Sequence, residues 1–309
     1  MDLLSVANIV SAQDCFANDT FMENWQKRDY REKITKHLGS EPAKEDMLSL
    51  GSKLSSMFSS EGATRDQGNV SSAGNTWLRL VCWYLNLCLI GTRSFATISS
   101  DLIPARVNEA MKLKFNGDSI AGSKEIVVIE YVGSETPTVC LPATRVINYR
   151  SIFMNTIKDF LNNIKPSDTR VIMVAAKTNC SDMVAVPLFW AFCYKGNRQD
   201  VFDIKVGTSE SNPEMLVDGA LKYAYVTVPT GRPERVERGQ IPGASTLKKL
   251  NLLDGGFYWG RPASNSVKSI PEFFRDNLPL SEGYAGETVA CGYQRIVSGE
   301  SPMSTILNP

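Results

Sequence analysis

The hydrophobic pattern of the chain changes after its first third, from helical spacing to strand-like runs. Residues 75–90 place apolar side chains at every third or fourth position, and apolar residues fill nearly the whole circumference of the predicted helix. Such a segment is typical of a helix buried in a protein core. Residues 45–58 also repeat with helical spacing, and the Gly- and Ser-rich residues 59–74 predict a loop between the two helices. We therefore expect a helical N-terminal part, residues 1–92.

Short apolar runs rich in β-branched residues follow this helical part and alternate with helical segments. The predicted strands are residues 111–115, 125–132, 170–177, 201–206 and 223–228. The predicted helices are residues 149–164 and 183–194. This alternation predicts an α/β core over residues 93–309 with a Gly- and Pro-rich C-terminal region, packed with the helical part as one compact domain.

The charge and cysteine content limit the functional classes only slightly. The 309 residues include 33 basic and 33 acidic side chains, so the net charge neither favours nor excludes a nucleic-acid partner. The seven cysteines are scattered without a Cys-x-x-Cys pair, and His37 is the single histidine, which argues against a structural zinc site. Reduced thiols of this kind are typical of an intracellular protein, so we expect a cytoplasmic location. The most apolar stretch, residues 77–90, falls short of the ~20 residues that span a bilayer, so we expect no membrane partner.

A carboxylate and a lysine lie at the ends of two predicted strands. Glu125 opens the strand 125–132, and Lys177 follows six apolar residues at the end of the strand 170–177. If these strands are neighbours, the acid and the lysine can meet at one end of the sheet. Hydrolysis of a phosphodiester by a metal needs carboxylates for Mg²⁺ and a cation near the attacking water or the phosphate. The alternative is that both side chains are solvated residues that only mark strand ends.

A second acid–lysine pattern lies further along the chain. Asp182 is followed by Asp203 and Lys205, which would form a similar site if all three shared a hairpin. A helix over residues 183–194 would separate Asp182 from the other two, so we favour the pattern that contains Lys177.

Four stretches of the chain carry a family resemblance: residues 71–93, the strand with Glu125, the strand end VAAKTNCSD and residues 255–274. Together they resemble the PD-(D/E)xK nuclease superfamily, specifically type II restriction-endonuclease-like proteins. The resemblance implies a restriction-endonuclease-like α/β fold, with a mixed central sheet flanked by helices. It also implies that Glu125 is a catalytic, metal-binding acid and that Lys177 is the catalytic lysine.

Ala175 departs from this family pattern, which has Asp, Glu or Gln two residues before the lysine. With this position apolar, Glu125 would bind the metal together with Asp118 or Glu130 and with backbone carbonyls. Mg²⁺ is often bound through only one or two carboxylates plus substrate phosphate, so Mg²⁺ stays the expected cofactor.

The function implied by the resemblance is that of a Mg²⁺-dependent endonuclease, a homodimer that hydrolyses phosphodiester bonds of double-stranded DNA. Contacts to the DNA phosphates require cations, which the neutral total charge does not exclude. We expect these contacts from basic residues between the two strands and in the C-terminal region: Arg145, Arg150, Arg232, Arg235, Arg238, Lys248, Lys249 and Arg261. Acidic residues are interleaved in the C-terminal group, so a solvated surface is the alternative.

Two other functions stay open. One is a nuclease fold with a decayed site that binds DNA or a protein partner without cutting. The other is an RNA-binding structural protein of the viral nucleoprotein kind, whose helical first part assembles oligomers. A further carboxylate close to Glu125 and Lys177 would favour the enzyme, and the lack of one would favour the binding protein.

Overall fold

The computed structural model describes part of the chain. The described residues are 10–11, 14–15, 18–39, 50–51, 53–54, 57–58, 67–89, 92–116, 118–120, 125–133, 158–159, 161–177, 185–196, 204–206, 221–227, 253–258 and 270–278. Among the helices in these ranges, none has both the length and the apolar character needed to cross a bilayer.

The N-terminal part is helical, as its spacing predicts. It contains α1 (Asp19–Lys27), α2 (Tyr30–Leu38) and α3 (Gln67–Cys88). Asn18 caps α1, because its side chain accepts a hydrogen bond from the Phe21 N–H at 2.9 Å. Trp25 of α1 packs edge-on against Trp83 of α3, with 5.4 Å between the ring centroids. This aromatic contact joins α1 to the long helix within one hydrophobic core.

The helix α3 begins eight residues before the predicted start. Residues 67–74 were expected in a loop because of their Gly and Ser content, and this prediction is wrong for them. A helix whose later turns are held by packing extends upstream at little cost, since propagation is far easier than nucleation. Buried packing of the later turns therefore outweighs the weak helix propensity of the first two turns.

The rest of the described chain mixes strands with helices. In chain order the strands are β1 (Ser94–Thr97), β2 (Leu113–Phe115), β3 (Asp118–Ile120), β4 (Ile126–Tyr131), β5 (Thr169–Lys177), β6 (Ile204–Val206), β7 (Leu221–Thr227) and β8 (Gly255–Tyr258). The further helices are α4 (Ala105–Ala110), α5 (Ala185–Gly196) and α6 (Ile270–Asn277). The predicted strands that became β4, β5 and β7 are each confirmed to within two residues at either end.

A five-stranded mixed sheet forms the centre of the fold, in the order β1-β4-β5-β7-β8. The pairs β1–β4 and β4–β5 are antiparallel, whereas β5–β7 and β7–β8 are parallel. Helix α3 packs on β1 and β5, and α5 packs on β7. The expected α/β class, a mixed sheet flanked by helices, is therefore confirmed. The parallel connection from β5 to β7 passes through α5, as strand–helix–strand units require.

A second, three-stranded sheet has the order β3-β2-β6. The predicted strand 111–115 is confirmed here in shorter form as β2, and residues 204–206 of the predicted strand 201–206 form β6, while residues 201–203 lie outside the described residues. Strands β2 and β3 form a tight hairpin, in which Asn116 adopts a positive φ of 50°. In the predicted helix 149–164, residues 158–159 and 161–162 are helical, and residues 149–157 and 160 lie outside the described residues.

The open edge of the central sheet at β1 is covered by a side chain. The Asn86 amide group donates to the Ala96 carbonyl at 2.7 Å, and its carbonyl oxygen accepts from the Ala96 N–H at 2.8 Å. Both residues are buried, so these bonds satisfy backbone groups that water cannot reach. Asn86 thereby closes an edge that would otherwise present unpaired backbone groups.

Candidate acid–lysine site

Glu125 and Lys177 meet at one end of the central sheet. Strands β4 and β5 pair with Ile126 opposite Val174, and one further residue places Glu125 opposite Ala175. One Glu125 carboxylate oxygen accepts the Ala176 N–H at 2.6 Å, and the other forms an ion pair with the Lys177 Nζ. The two strands are therefore neighbours in the sheet, as expected. The catalytic roles of Glu125 and Lys177 stay predictions.

The ion pair is held by the sheet and only partly open to solvent. The Glu125 side chain is 14% exposed and the Lys177 side chain 25% exposed. Both residues adjoin backbone that is hydrogen-bonded in the ladder, and the Ala176 N–H fixes the carboxylate in addition. The site therefore presents a positioned cation and a positioned carboxylate whose charges compensate each other.

Ala175 occupies the place where the family pattern has a second acid. Side chains two apart on a strand share a face, and directly opposed side chains do so as well, so Glu125, Ala175 and Lys177 lie on one face. The next strand in the row contributes Tyr225, which is in register with Ala175. Ala175 is 4% exposed, so a buried methyl group stands between the carboxylate and the phenol.

Glu130, predicted as a further metal ligand, lies on the other face of the sheet. It is five residues from Glu125 along the same strand, and an odd spacing reverses the direction of the side chain. Glu130 is fully buried and forms an ion pair with Arg170, its direct cross-strand neighbour, at 3.2 Å. Glu130 therefore takes part in an ion pair on the face opposite to Glu125, and its role as a metal ligand stays a prediction that this placement does not support.

Asp118, the other predicted ligand, belongs to β3 of the second sheet, where it is exposed opposite Phe115. Across the described ranges, no group of three His, Cys, Asp or Glu side chains is placed to hold a metal ion. Mg²⁺ requires near-octahedral oxygen coordination. The described side chains around Glu125 offer one carboxylate for such coordination, and it already accepts from an amide and an ammonium group.

Three buried tyrosines extend the site away from Glu125, and no sequence prediction included them. Tyr223 and Tyr225 alternate on β7 on the face that carries Lys177, and Tyr194 of α5 stacks on Tyr223, with 6.4 Å between the ring centroids. Burial raises the pKa of Tyr223, and the negative charge of Glu125 raises it further. The spacing of two between Tyr223 and Tyr225 was a signal that both face the same side.

The other predicted site residues fall outside the part of the chain that the structure describes. Asp182 and Asp203 lie outside the described residues, and α5 separates them in the chain, which breaks the alternative hairpin pattern. All of the predicted DNA-contacting residues also lie outside the described residues: Arg145, Arg150, Arg232, Arg235, Arg238, Lys248, Lys249 and Arg261.

Comparison of the chain with protein-family models and with curated proteins finds no match. The fold and the site define a mixed α/β protein with an acid–lysine pair, Glu125 and Lys177, at one end of its central sheet.

Proposed function

We propose that this chain is a nucleic-acid-binding protein with a restriction-endonuclease-like core whose metal site has decayed. Three features support the nuclease-like core: α3 packs on the sheet, Glu125 opens one strand, and Lys177 closes its antiparallel neighbour. The main observation in favour of a decayed metal site is the position of Ala175. It lies directly opposite Glu125, where a second carboxylate is expected. Binding of phosphates without efficient hydrolysis is the function this geometry supports best.

The charges of the site favour binding over metal-dependent hydrolysis. A lysine ammonium fixed at a strand end is a point charge suited to a phosphate oxygen. A metal would have to compete with Lys177 for the same carboxylate, since the two Glu125 oxygens accept from Lys177 and from the Ala176 N–H. The Glu125–Lys177 pair can open toward a phosphate instead, because both side chains are partly exposed.

A Mg²⁺-dependent endonuclease acting on double-stranded DNA as a homodimer is the second candidate. The acid–lysine pair favours this second candidate, because a protein that does not cleave DNA would not need the pair for catalysis. Mg²⁺ bound through one carboxylate, water and substrate phosphate is chemically acceptable. Lys177 would then steady the scissile phosphate or orient the attacking water.

The two candidates are separated by assaying binding and cleavage in the same samples. The protein is incubated with plasmid DNA, genomic DNA and single-stranded RNA in Mg²⁺ and then Mn²⁺, and it is examined by gel shift and by fragment analysis. The key variant is Glu125→Gln with Lys177→Met, which removes both charges together so that no buried carboxylate is left unpaired. Lys222→Met is the matched control, because Lys222 is also a strand lysine near an acid, Asp254, at 3.7 Å.

We expect the wild type and the Lys222→Met control to shift nucleic acid without cutting it. The double variant should bind at least several-fold more weakly while its circular dichroism stays unchanged. Discrete DNA fragments from the wild type that disappear in the double variant would establish the endonuclease instead. A wild-type protein that shifts none of the nucleic acids would reject both candidates.

A further inference from the structure

Helix α5 carries three aromatic side chains that reach the solvent. Phe189 is 55% exposed, and Trp190 and Phe192 are partly exposed. The Phe189 ring meets Trp190 edge-on, with 5.1 Å between the ring centroids. Phe189 and Phe192 are neighbours on the helix surface, because residues three apart lie side by side. A single exposed phenylalanine needs no explanation, whereas these three rings together form an aromatic patch on α5 that is open to a partner.

The aromatic patch belongs to the helix that covers the sheet face with Lys177. Tyr194 of α5 stacks on Tyr223, and Tyr223 is in register with Met173. Met173 and Lys177 are separated by an even number of residues on β5, so their side chains lie on the same face. Helix α5 therefore packs on the face of the sheet that carries the Lys177 ammonium group.

The aromatic patch also lies toward the end of the sheet where Lys177 is found. Helix α5 follows β5 and precedes its parallel neighbour β7, so it runs back from the end of β5 toward the start of β7. Phe189 precedes Tyr194 by about 7.5 Å along the helix axis. Lys177 lies about 13 Å beyond Met173 along its strand. Measured along the strands, Phe189 and Lys177 are therefore separated by roughly 6 Å, a span that a short single strand covers.

We infer that the aromatic patch of α5 stacks on the bases of a single-stranded nucleic acid whose phosphates contact Lys177. Every base presents a π-face to an aromatic ring, and proteins that bind single strands combine such rings with cations along the backbone. In a duplex the bases stack on each other, so their faces are not open to Phe189. This inference rests on the proposed nucleic-acid binding, and it narrows the ligand to single strands.

Removal of the exposed ring tests the inference, because more than half of the Phe189 side chain lies outside the core. The variant is Phe189→Ala, and Phe189→Tyr is the comparison that keeps a ring. The matched control is Phe115→Ala, since Phe115 is also exposed, at 37%, but belongs to β2 of the second sheet. Fluorescence anisotropy gives Kd for labelled single-stranded RNA, for single-stranded DNA of the same sequence and for the corresponding DNA duplex.

We expect Phe189→Ala to weaken the binding of single strands by about tenfold, the size of one base–aromatic stack, and to leave the Kd for the duplex unchanged. Phe189→Tyr and Phe115→Ala should bind as the wild type does. The unfolding midpoint of Phe189→Ala should stay within about 2 °C of the wild type, because substitutions at the surface change stability little.

A second measurement uses the wild type alone. A single strand that contains a fluorescent adenine analogue should lose fluorescence on binding, because stacking on an aromatic ring quenches the analogue. Binding without a loss of fluorescence at any position of the analogue would contradict base stacking.

The other outcomes separate this inference from the proposed function. Unchanged binding of single strands by Phe189→Ala, an equal loss in Phe115→Ala, or a wild type that binds only the duplex would overturn the inference and spare the proposed function. Self-association of the wild type that Phe189→Ala abolishes, with Kd unchanged, would assign the aromatic patch to a second copy of the chain. A wild type that binds none of the three nucleic acids would reject the proposed function, and the inference with it.

Discussion

Replacing Ala175 by aspartate restores the carboxylate that the family pattern expects. Residues opposed in antiparallel strands have Cβ atoms about 5 Å apart, so the new carboxylate would lie beside Glu125. Two unit charges about 5 Å apart repel by about 3 kcal/mol at an effective dielectric constant of about 20. Lys177 offsets part of this repulsion, but burial of the new carboxylate adds a desolvation cost, so without metal we expect a loss of about 3 kcal/mol or more in the free energy of unfolding.

A divalent cation should reverse this loss if the pair has nuclease-like geometry. Two carboxylates on one face can share a metal ion, and a free Mn²⁺ concentration of about 100 times Kd would add about 2.7 kcal/mol. For a chain of this size, about 1 kcal/mol corresponds to about 2 °C in Tm, so we expect Mn²⁺ to raise the Tm of the variant by about 5 °C. Thermal unfolding with and without Mn²⁺ or Mg²⁺ measures this shift.

The neighbouring residue supplies a matched control. Ala176 is 7% exposed, close to the 4% of Ala175, but its side chain lies on the opposite face of the sheet. Ala176→Asp therefore adds the same buried charge without approaching the Glu125 carboxylate face. Equal metal responses of the two variants, or none in Ala175→Asp, would refute the nuclease-like geometry. Metal-dependent DNA cleavage gained only by Ala175→Asp would support it most directly.

Two other substitutions test the surroundings of the site. Asn86→Ala should lower the free energy of unfolding by about 2–4 kcal/mol, because it leaves the buried N–H and carbonyl of Ala96 without the Asn86 hydrogen bonds. Unfolding in urea measures this loss, and a loss below about 1 kcal/mol would contradict this account of the sheet edge. Asp14 is buried, which raises the pKa of its carboxyl group although Thr97 and Ile98 donate hydrogen bonds to it. With the folded pKa raised, its contribution to stability is complete below the ordinary value of 3.8 and is lost as the pH rises through the folded pKa. Asp14→Asn, which cannot ionise, should therefore unfold at a higher temperature than the wild type at neutral pH and at the same temperature near pH 3, and a gain that does not depend on pH would contradict this explanation.

Strand positions were predictable because a strand buried on both faces consists almost entirely of apolar residues. Residues 171–176 are all apolar and all buried, as expected for a strand covered on both faces. Strand β8 was not predicted, because its paired glycines and aromatic residues indicate a packing corner. Parallel pairing with β7 overrides that weak local preference. Short edge strands depend on their partners, which a local pattern does not reveal.

The acid–lysine pair was predictable only in part. The ends of β4 and β5 could be located from the pattern, but their pairing depends on contacts far apart in the chain and came from the family resemblance. The position of Glu130 follows from parity alone, since a spacing of five from Glu125 puts it on the other face. The stacking of Tyr194 on Tyr223 could not be predicted, because it depends on how α5 lies on β7.

The same two strands hold two acid–base pairs, and the contrast between the pairs bears on function. The cations of the two pairs are about equally exposed, 30% for Arg170 and 25% for Lys177, so the pairs differ in their carboxylates. Glu130 is fully buried, and a carboxylate at that depth is costly to separate from its cation. Glu125 keeps 14% of its side chain exposed, so under the proposed function it can release Lys177 toward a phosphate at a lower cost. The proposed binding function therefore assigns the phosphate contact to the pair at the strand ends.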